Sequence, residues 1–317
     1  MPVPATPRWA MSAVAASMMR FLVAWPFGVR RRGLVASATS QSLPDWVAQS
    51  RKCPYVFGQI NPESESTTMT IAPARTLTAL VTGATAGIGR AVALRLAADG
   101  IHVIAHGRDP ERGAQLVKEI TAEGGTARFV TADLANADEV KALAAAAGEV
   151  DILVNNAGIY TFTSTPGTSA ESFDEQLAIN TRAPFLLVGA LAPGMAERGH
   201  GFIVNITSTA ATSPAPIGGA YGASKAAIEL LTRSWATEFG SSGVRINGVS
   251  PGPVRTAGTT AMLGENIELM GKVNIRERIG EPEEIASIVQ FLIHADSSYI
   301  NGTVIVANGG ERSTLPQ

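Results

Sequence analysis

From Leu77 onward the chain alternates between two kinds of segment, and this alternation constrains its fold more than any other feature. Short aliphatic and β-branched runs occur at "LTALVT", "IHVIA", "ARFVTA", "DILVNN", "GFIVNI", "VRINGVS" and "GTVIVA". Each is apolar nearly throughout instead of at every second position, the pattern of a strand covered on both faces. Between them lie stretches with apolar residues at helical spacing, such as "GRAVALRLAADG" and "ESFDEQLAIN". Strands joined by helix-length crossovers lie parallel. The pattern therefore predicts an α/β fold with a doubly wound, seven-stranded parallel sheet and helices on both faces. No repeat or low-complexity linker divides residues 76–317, which read as one domain. The long connection between "VRINGVSPG" and "PEEIASIVQFLI" exceeds a simple turn and is expected to carry function.

Residues 1–75 follow a different pattern. They carry eight Lys or Arg against Asp45, Glu63 and Glu65, in a chain whose formal net charge is -2. The first 44 residues hold five Arg and no acid, which fits either a transit-like segment or sequence upstream of a start at Met69. The segment is read as a poorly ordered extension. Arg20 interrupts the apolar run Trp9–Val29, and "RRR" follows that run, so neither a secretory signal nor a membrane span of ~20 residues is expected. A form tethered through residues 9–32 is the rival reading. The small net charge argues against a general nucleic-acid binder, which needs a basic surface. The single Cys53 forms no internal disulfide, and His102, His106, His200 and His294 lack metal-ligand spacing. A reducing compartment, no metal and a cytoplasmic location are expected, with organelle targeting by the Arg-bearing N-terminus as the alternative.

The first strand runs into "TGATAGIGR", Thr82 to Arg90, and then into a helical stretch. Glycines in a strand-to-helix turn adopt dihedrals closed to other residues and let backbone approach a ligand, while the helix N-terminus aims free amides at it. On the first strand of an alternating α/β pattern, that is a diphosphate site. Further along stand "NNAG" (155–158), Ser208 thirteen residues before Tyr221, "YGASK" (221–225) and "PGPVRT" (251–256). Tyr221 and Lys225, four apart, share one helix face, and Lys225 can stabilise a phenolate whose ordinary pKa is about 10. Ser208, at a strand end, is placed to hydrogen-bond a carbonyl oxygen as it gains charge.

With these motifs in this order, the chain from about Thr76 to Arg312 resembles the short-chain dehydrogenase/reductase family, of the ordinary 250-residue type with a Rossmann-type fold. The resemblance implies that Tyr221 is the general acid/base, that Lys225 lowers its pKa and binds the nicotinamide ribose, and that Ser208 orients the carbonyl. It also implies that Asn180 helps hold a water in the proton relay. For the cofactor it implies Gly83, Thr85, Gly87, Ile88 and Gly89 in the turn. Asp133 would meet the adenine ring with Leu134 alongside, although Asp133 equally reads as the N-cap of the following helix. Asn156, Ala157 and Gly158 would form the cleft floor, and Pro251, Gly252, Val254 and Thr256 the nicotinamide carboxamide site. The implied assembly is a homo-oligomer, a dimer or tetramer.

Cofactor choice turns on the end of the second strand. An acid there accepts from the adenosine ribose and repels a 2′-phosphate, whereas Arg does the opposite. In "VIAHGRDPER" the acidic position is Gly107 and Arg108 follows, which favours NADP(H) over NAD(H). Ala86 departs from the basic residue that NADP-preferring relatives often carry in the glycine turn. Asp109 and Pro110 read as the start of the next helix. Tyr160, Thr161, Phe162, 214–217 and the loop "AGTTAMLGENIELMGKVNI" are expected to face the substrate. Mostly apolar or small, they suit an uncharged carbonyl compound or secondary alcohol. The expected activity is therefore NADP(H)-dependent interconversion of a ketone and a secondary alcohol; a nucleotide-sensing protein of this fold without turnover is the alternative.

Overall fold

Seven strands, β1 (Thr78–Val81), β2 (His102–Gly107), β3 (Ala127–Thr131), β4 (Ile152–Asn155), β5 (Gly201–Ile206), β6 (Val244–Pro251) and β7 (Val304–Ala307), form one sheet. The computed structural model describes residues 76–311 apart from 214 and 216. The extension 1–75 with its Met69, Cys53 and residues 9–32 lies outside the described residues, as do Pro214 and Pro216. The strand order is β3-β2-β1-β4-β5-β6-β7, and every pairing is parallel, as the uninterrupted apolar runs require.

Eight α-helices are described: α1 (Gly87–Ala98), α2 (Pro110–Ala122), α3 (Ala137–Ala147), α4 (Ala170–Leu177), α5 (Ala183–Glu197), α6 (Gly219–Phe239), α7 (Ala257–Leu263) and α8 (Pro282–Ile293). Neighbouring strand residues point to opposite faces, so each strand feeds two cores. Val81 and Val154 pack with Val92 and Leu96 of α1, Leu116 of α2 and Val289 of α8. Leu80, Leu153 and Ile203 pack on the other face with Leu143 of α3, Leu187 of α5 and Ile228 of α6. Each fully buried aliphatic side chain contributes about 1.5–3 kcal/mol.

Helix starts follow local chemistry. Asp109 caps α2 by accepting from the amides of Glu111 and Arg112, with Pro110 at the first helical position, as read from the sequence. For α3 the capping alternative is corrected. Asn136, not Asp133, is the N-cap and accepts from the Asp138 amide at 2.9 Å. Asp133 instead accepts from the Ala135 amide at 3.0 Å, an Asx turn that precedes the helix.

β1 lies between β2 and β4, so successive crossovers wind in opposite directions from this point. A crevice opens beyond the carboxyl ends of such strands, and the turns leaving β1, β2, β4, β5 and β6 all border it.

Candidate active site

The crevice begins at the glycine turn. Gly83 and Gly87 have φ of 63° and 52°, in the left-handed region that favours glycine. A Cβ on Gly89 would sit 2.3 Å from both Asn156 Nδ2 and Gly83 O, and one on Gly87 would sit 2.9 Å from Thr256 Cγ2. Helix α1 starts at Gly87 with no side-chain cap from Ala86, so its first amides stay free of side-chain partners. A tight turn with glycine at its closest approaches, ahead of an uncapped helix N-terminus, fits a dinucleotide diphosphate.

The turn is held from two sides, by the expected cleft-floor residue Asn156 and by Thr82 and His106, to which the sequence reading gave no part. The Thr82 hydroxyl accepts from the amides of Asn156 and Ala157, both at 3.0 Å, and Asn156 Nδ2 donates to Thr82 O and Gly83 O at 2.9 and 3.1 Å. Asn156 thus straps the turn to the end of β4. On the other side, the Gly83 amide donates to Nδ1 of buried His106 at 3.3 Å, while Nε2 lies 3.1 Å from Ala132 O. That pairing makes His106 the neutral tautomer protonated at Nε2. Burial lowers its pKa first; the Ala132 carbonyl raises it and the Arg108 charge lowers it further. A histidine interrupting an apolar strand run was the available signal.

At the end of β2, a Cβ on Gly107 would meet Thr85 Cγ2 at 2.7 Å, so Thr85 of the glycine turn rests on Gly107. Arg108 is exposed and has no ion pair or hydrogen bond among the described residues. Asp133 is half-buried, and Leu134 beside it puts its side chain into the core.

A cavity of about 570 Å³ adjoins the turn. Ser208, Tyr221 and Lys225 line it together with Ile88, Asn156 and Gly158, and so do Pro251, Gly252, Val254 and Thr256. Gly83, Thr85, Gly87, Gly89, Arg108, Asp133, Ala157 and Asn180 do not line it. Both Thr207 and Ser208 line the cavity, but the Thr207 hydroxyl turns inward to donate to Glu229 Oε1 at 3.1 Å. Ser208 caps the short turn after β5 by accepting from the Ala210 amide at 3.2 Å, and its hydroxyl stands near enough to Tyr221 to favour the phenolate. That approach needs Gly222, where a Cβ would strike Ala210 O at 2.6 Å.

Lys225 is buried one turn after Tyr221 and donates to Ile206 O at 2.9 Å. Burial holds its pKa down to about 8. Burial pushes the Tyr221 phenol up, with the Ser208 hydrogen bond opposing and Tyr160 reinforcing the shift. Asn180 sits in a π-helical turn, Ala178–Arg182, that re-aims it from the line of α4 and α5. Its amide accepts from Ile159 N at 2.9 Å and donates to Ile159 O and Ser224 Oγ at 2.8 and 3.0 Å. Asn180 Oδ1 and Lys225 Nζ both crowd Gly158, each 3.2 Å from where its Cβ would stand. Ser224, unflagged in the sequence, completes the link by donating to Tyr221 O at 2.7 Å.

Val254 is buried and bridges to Gly280. The Thr256 hydroxyl caps α7, accepting from the Thr259 amide at 3.1 Å. Of the residues expected at the substrate, Tyr160, Phe162, Ala215, Thr259, Met262, Leu263, Ile267, Met270 and Lys272 line the cavity, and Glu311 joins them. Thr161 and Ile217 do not; the Thr161 amide donates to Gln176 Oε1 at 3.3 Å.

Comparison with known proteins bears on the same residues. The short chain dehydrogenase family matches residues 77–266. Dehydrogenase/reductase SDR family member 4 from Homo sapiens is 38% identical over 244 residues, covering 75% of this chain and 88% of the relative. A solved short chain dehydrogenase/reductase family protein is 48% identical, with TM-score 0.70, covering 74% of this chain and 96% of its own. A 3-oxoacyl (acyl-carrier-protein) reductase from Agrobacterium tumefaciens C58, solved with NADP bound, is 34% identical with TM-score 0.70, covering 74% and 94%.

Proposed function

The chain belongs to the short-chain dehydrogenase/reductase family, and from that premise we propose that it interconverts a ketone and a secondary alcohol with NADP(H). The observation that carries the reading is the convergence of Ser208, Tyr221 and Lys225 on one cavity that adjoins the glycine turn. Gly83, Thr85, Gly87, Ile88 and Gly89 would hold the dinucleotide, with Asn156, Ala157 and Gly158 beneath it, Asp133 at the adenine and Pro251, Gly252, Val254 and Thr256 at the carboxamide. When bound, the reduced nicotinamide supplies the hydride. Tyr221 gives the proton from its Oη to the carbonyl oxygen as that oxygen gains charge, and takes it back in the oxidative direction. Ser208, lining the same cavity as Tyr221, offers its hydroxyl to the same oxygen and orients it. Lys225, anchored on Ile206 O, holds its Nζ 5.8 Å from the centroid of the phenol ring, where its charge would favour the phenolate. Asn180 locks Ile159 and, through Ser224, the turn of α6 that carries Tyr221.

Arg108 makes NADP(H) the preferred cofactor over NAD(H). In support, the Agrobacterium relative was solved with NADP bound, as was an angucycline C-6 ketoreductase 32% identical to this chain. The substrate is an uncharged carbonyl compound, because the substrate-side lining is mostly apolar or small, with Lys272 and Glu311 its charged members. Residues 76–317 act as the catalytic domain in a dimer or tetramer in the cytoplasm, and 1–75 are dispensable for it. Among the described residues no helix is long and apolar enough to cross a membrane. The test is NADPH and NADH oxidation by the purified full chain over a panel of ketones and aldehydes. Turnover faster with NADPH supports the reading. Tight NADPH binding with no turnover across the panel would favour a nucleotide-sensing role instead.

A further inference from the structure

We propose that Tyr160 and Phe162 form a seat for a flat aromatic group beside the reacting carbonyl, which makes aryl ketones and their alcohols the substrate class. The inference rests on the carbonyl-reductase reading above. Tyr160, Phe162 and Tyr221 form a closed trio of rings, with centroid separations of 5.7, 6.0 and 5.9 Å. Both contacts to Tyr221 are edge-on, at 73° and 66°. Such rings attract a further ring through their quadrupoles, in offset or edge geometry. A saturated ring of similar size gains from area burial alone.

The chain clears space for both rings from elsewhere in the fold. A Cβ on Gly258, in α7, would stand 2.4 Å from Tyr160 Oη, and one on Gly218, the N-cap of α6, 2.7 Å from Phe162 Cδ1. The Gly218 amide also donates to Thr163 O at 2.9 Å, fixing the ring-bearing segment to the residue that starts the Tyr221 helix. Two substrate-side segments therefore carry glycine where any side chain would displace one of the two rings. Phe162 lines the cavity yet stays 41% exposed, so an occupant can cover its free face. Met262, Leu263, Ile267 and Met270 add flexible or aliphatic side chains to the same lining, alongside Lys272 and Glu311.

The test compares kcat/KM for phenyl methyl ketone and cyclohexyl methyl ketone with NADPH, in the full chain and its variants. Reading each variant against wild type cancels the intrinsic reactivity difference between the two ketones. Phe162→Leu keeps apolar bulk but loses the ring, and should lower the aryl-to-cyclohexyl ratio about 3- to 10-fold. Gly258→Ala should lower it by pushing Tyr160 aside. Adding Tyr160→Phe to Gly258→Ala removes the oxygen that the new methyl strikes, and should restore the ratio. This pair decides the matter even where Phe162→Leu fails to fold. An unchanged ratio in both single variants overturns the seat and leaves carbonyl reduction standing. Turnover of neither ketone nor any other carbonyl overturns the underlying reading together with the seat.

Discussion

The Lys225 ammonium lies 5.8 Å from the centroid of the Tyr221 ring, one helical turn along the same face of α6. Burial works on the two groups in opposite senses, holding the lysine down to about 8 and pushing the phenol up. Each is thereby kept closer to its neutral form than it would be in water. The pair has a pH signature that can be read without a substrate.

For a lysine whose folded pKa lies below its unfolded value, the unfolded chain binds more protons between the two, so stability rises with pH across that interval. For Lys225 the interval runs from about 8 to the ordinary 10.5. The raised Tyr221 acts in the other direction, but only above about 10, where an unfolded tyrosine ionises first. Denaturant unfolding of the cofactor-free chain should therefore show wild type gaining roughly 2–3 kcal/mol relative to Lys225→Met between about pH 7 and 10. A constant difference across that range would mean that Lys225 Nζ is solvated.

Tyr221→Phe keeps the ring and its packing against Tyr160 and Phe162 but removes the transferable proton. Steady-state assays should find kcat lower by about 10²–10⁴-fold. Fluorescence titration should find NADPH affinity within about threefold of wild type, since no cradle residue changes. Retention of more than half the activity would take the acid/base role away from Tyr221.

The sheet was legible because its strands are apolar on both faces, and Ser208, Tyr221 and Lys225 because their spacing fixes them relative to one strand end and one helix. What escaped were residues whose reason lies across space. Gly218, Gly222 and Gly258 look like ordinary turn or helix glycines until a ring or a carbonyl from another segment appears where their Cβ would be. Thr82, His106 and Ser224 are polar groups whose partners come from distant turns or from backbone carbonyls, and no local pattern encodes them. Asp133 and Asn136 carry the same capping chemistry three residues apart, and only the observed helix start separates them.

His106 is the most testable of these. His106→Phe preserves bulk but strands the Gly83 amide and the Ala132 carbonyl, a loss of about 1–3 kcal/mol in stability. Because Gly83 opens the dinucleotide turn, NADPH affinity should fall several-fold, while kcat at saturating NADPH stays within about twofold. The pH dependence follows from the lowered pKa. Below the ordinary value near 6.5 the unfolded chain takes up a proton that the folded chain resists, so wild type loses stability relative to the variant as pH falls. Wild-type affinity in the variant would show that the turn holds its shape without the imidazole.

Arg108 should decide between the two nicotinamide cofactors. Its guanidinium stands exposed and without an ion pair among the described residues, just after the end of β2. Two charge-assisted hydrogen bonds to a 2′-phosphate, reduced by solvent at this open end, leave a net of about 1.5–3 kcal/mol, or a preference of about 10–100-fold for NADPH. Arg108→Ala should lose most of it, and rising salt should erode it in wild type. Adding Gly107→Asp should reverse the preference, since a carboxylate accepts from the ribose hydroxyls and repels phosphate. The new Cβ would press on Thr85 Cγ2 at 2.7 Å, so activity with both cofactors should drop. The ratio of kcat/KM for NADPH over NADH cancels that shared loss and isolates the charge. Equal use of the two cofactors by wild type, or a ratio that survives both substitutions, would mean that Arg108 points to solvent and that another group reads the phosphate.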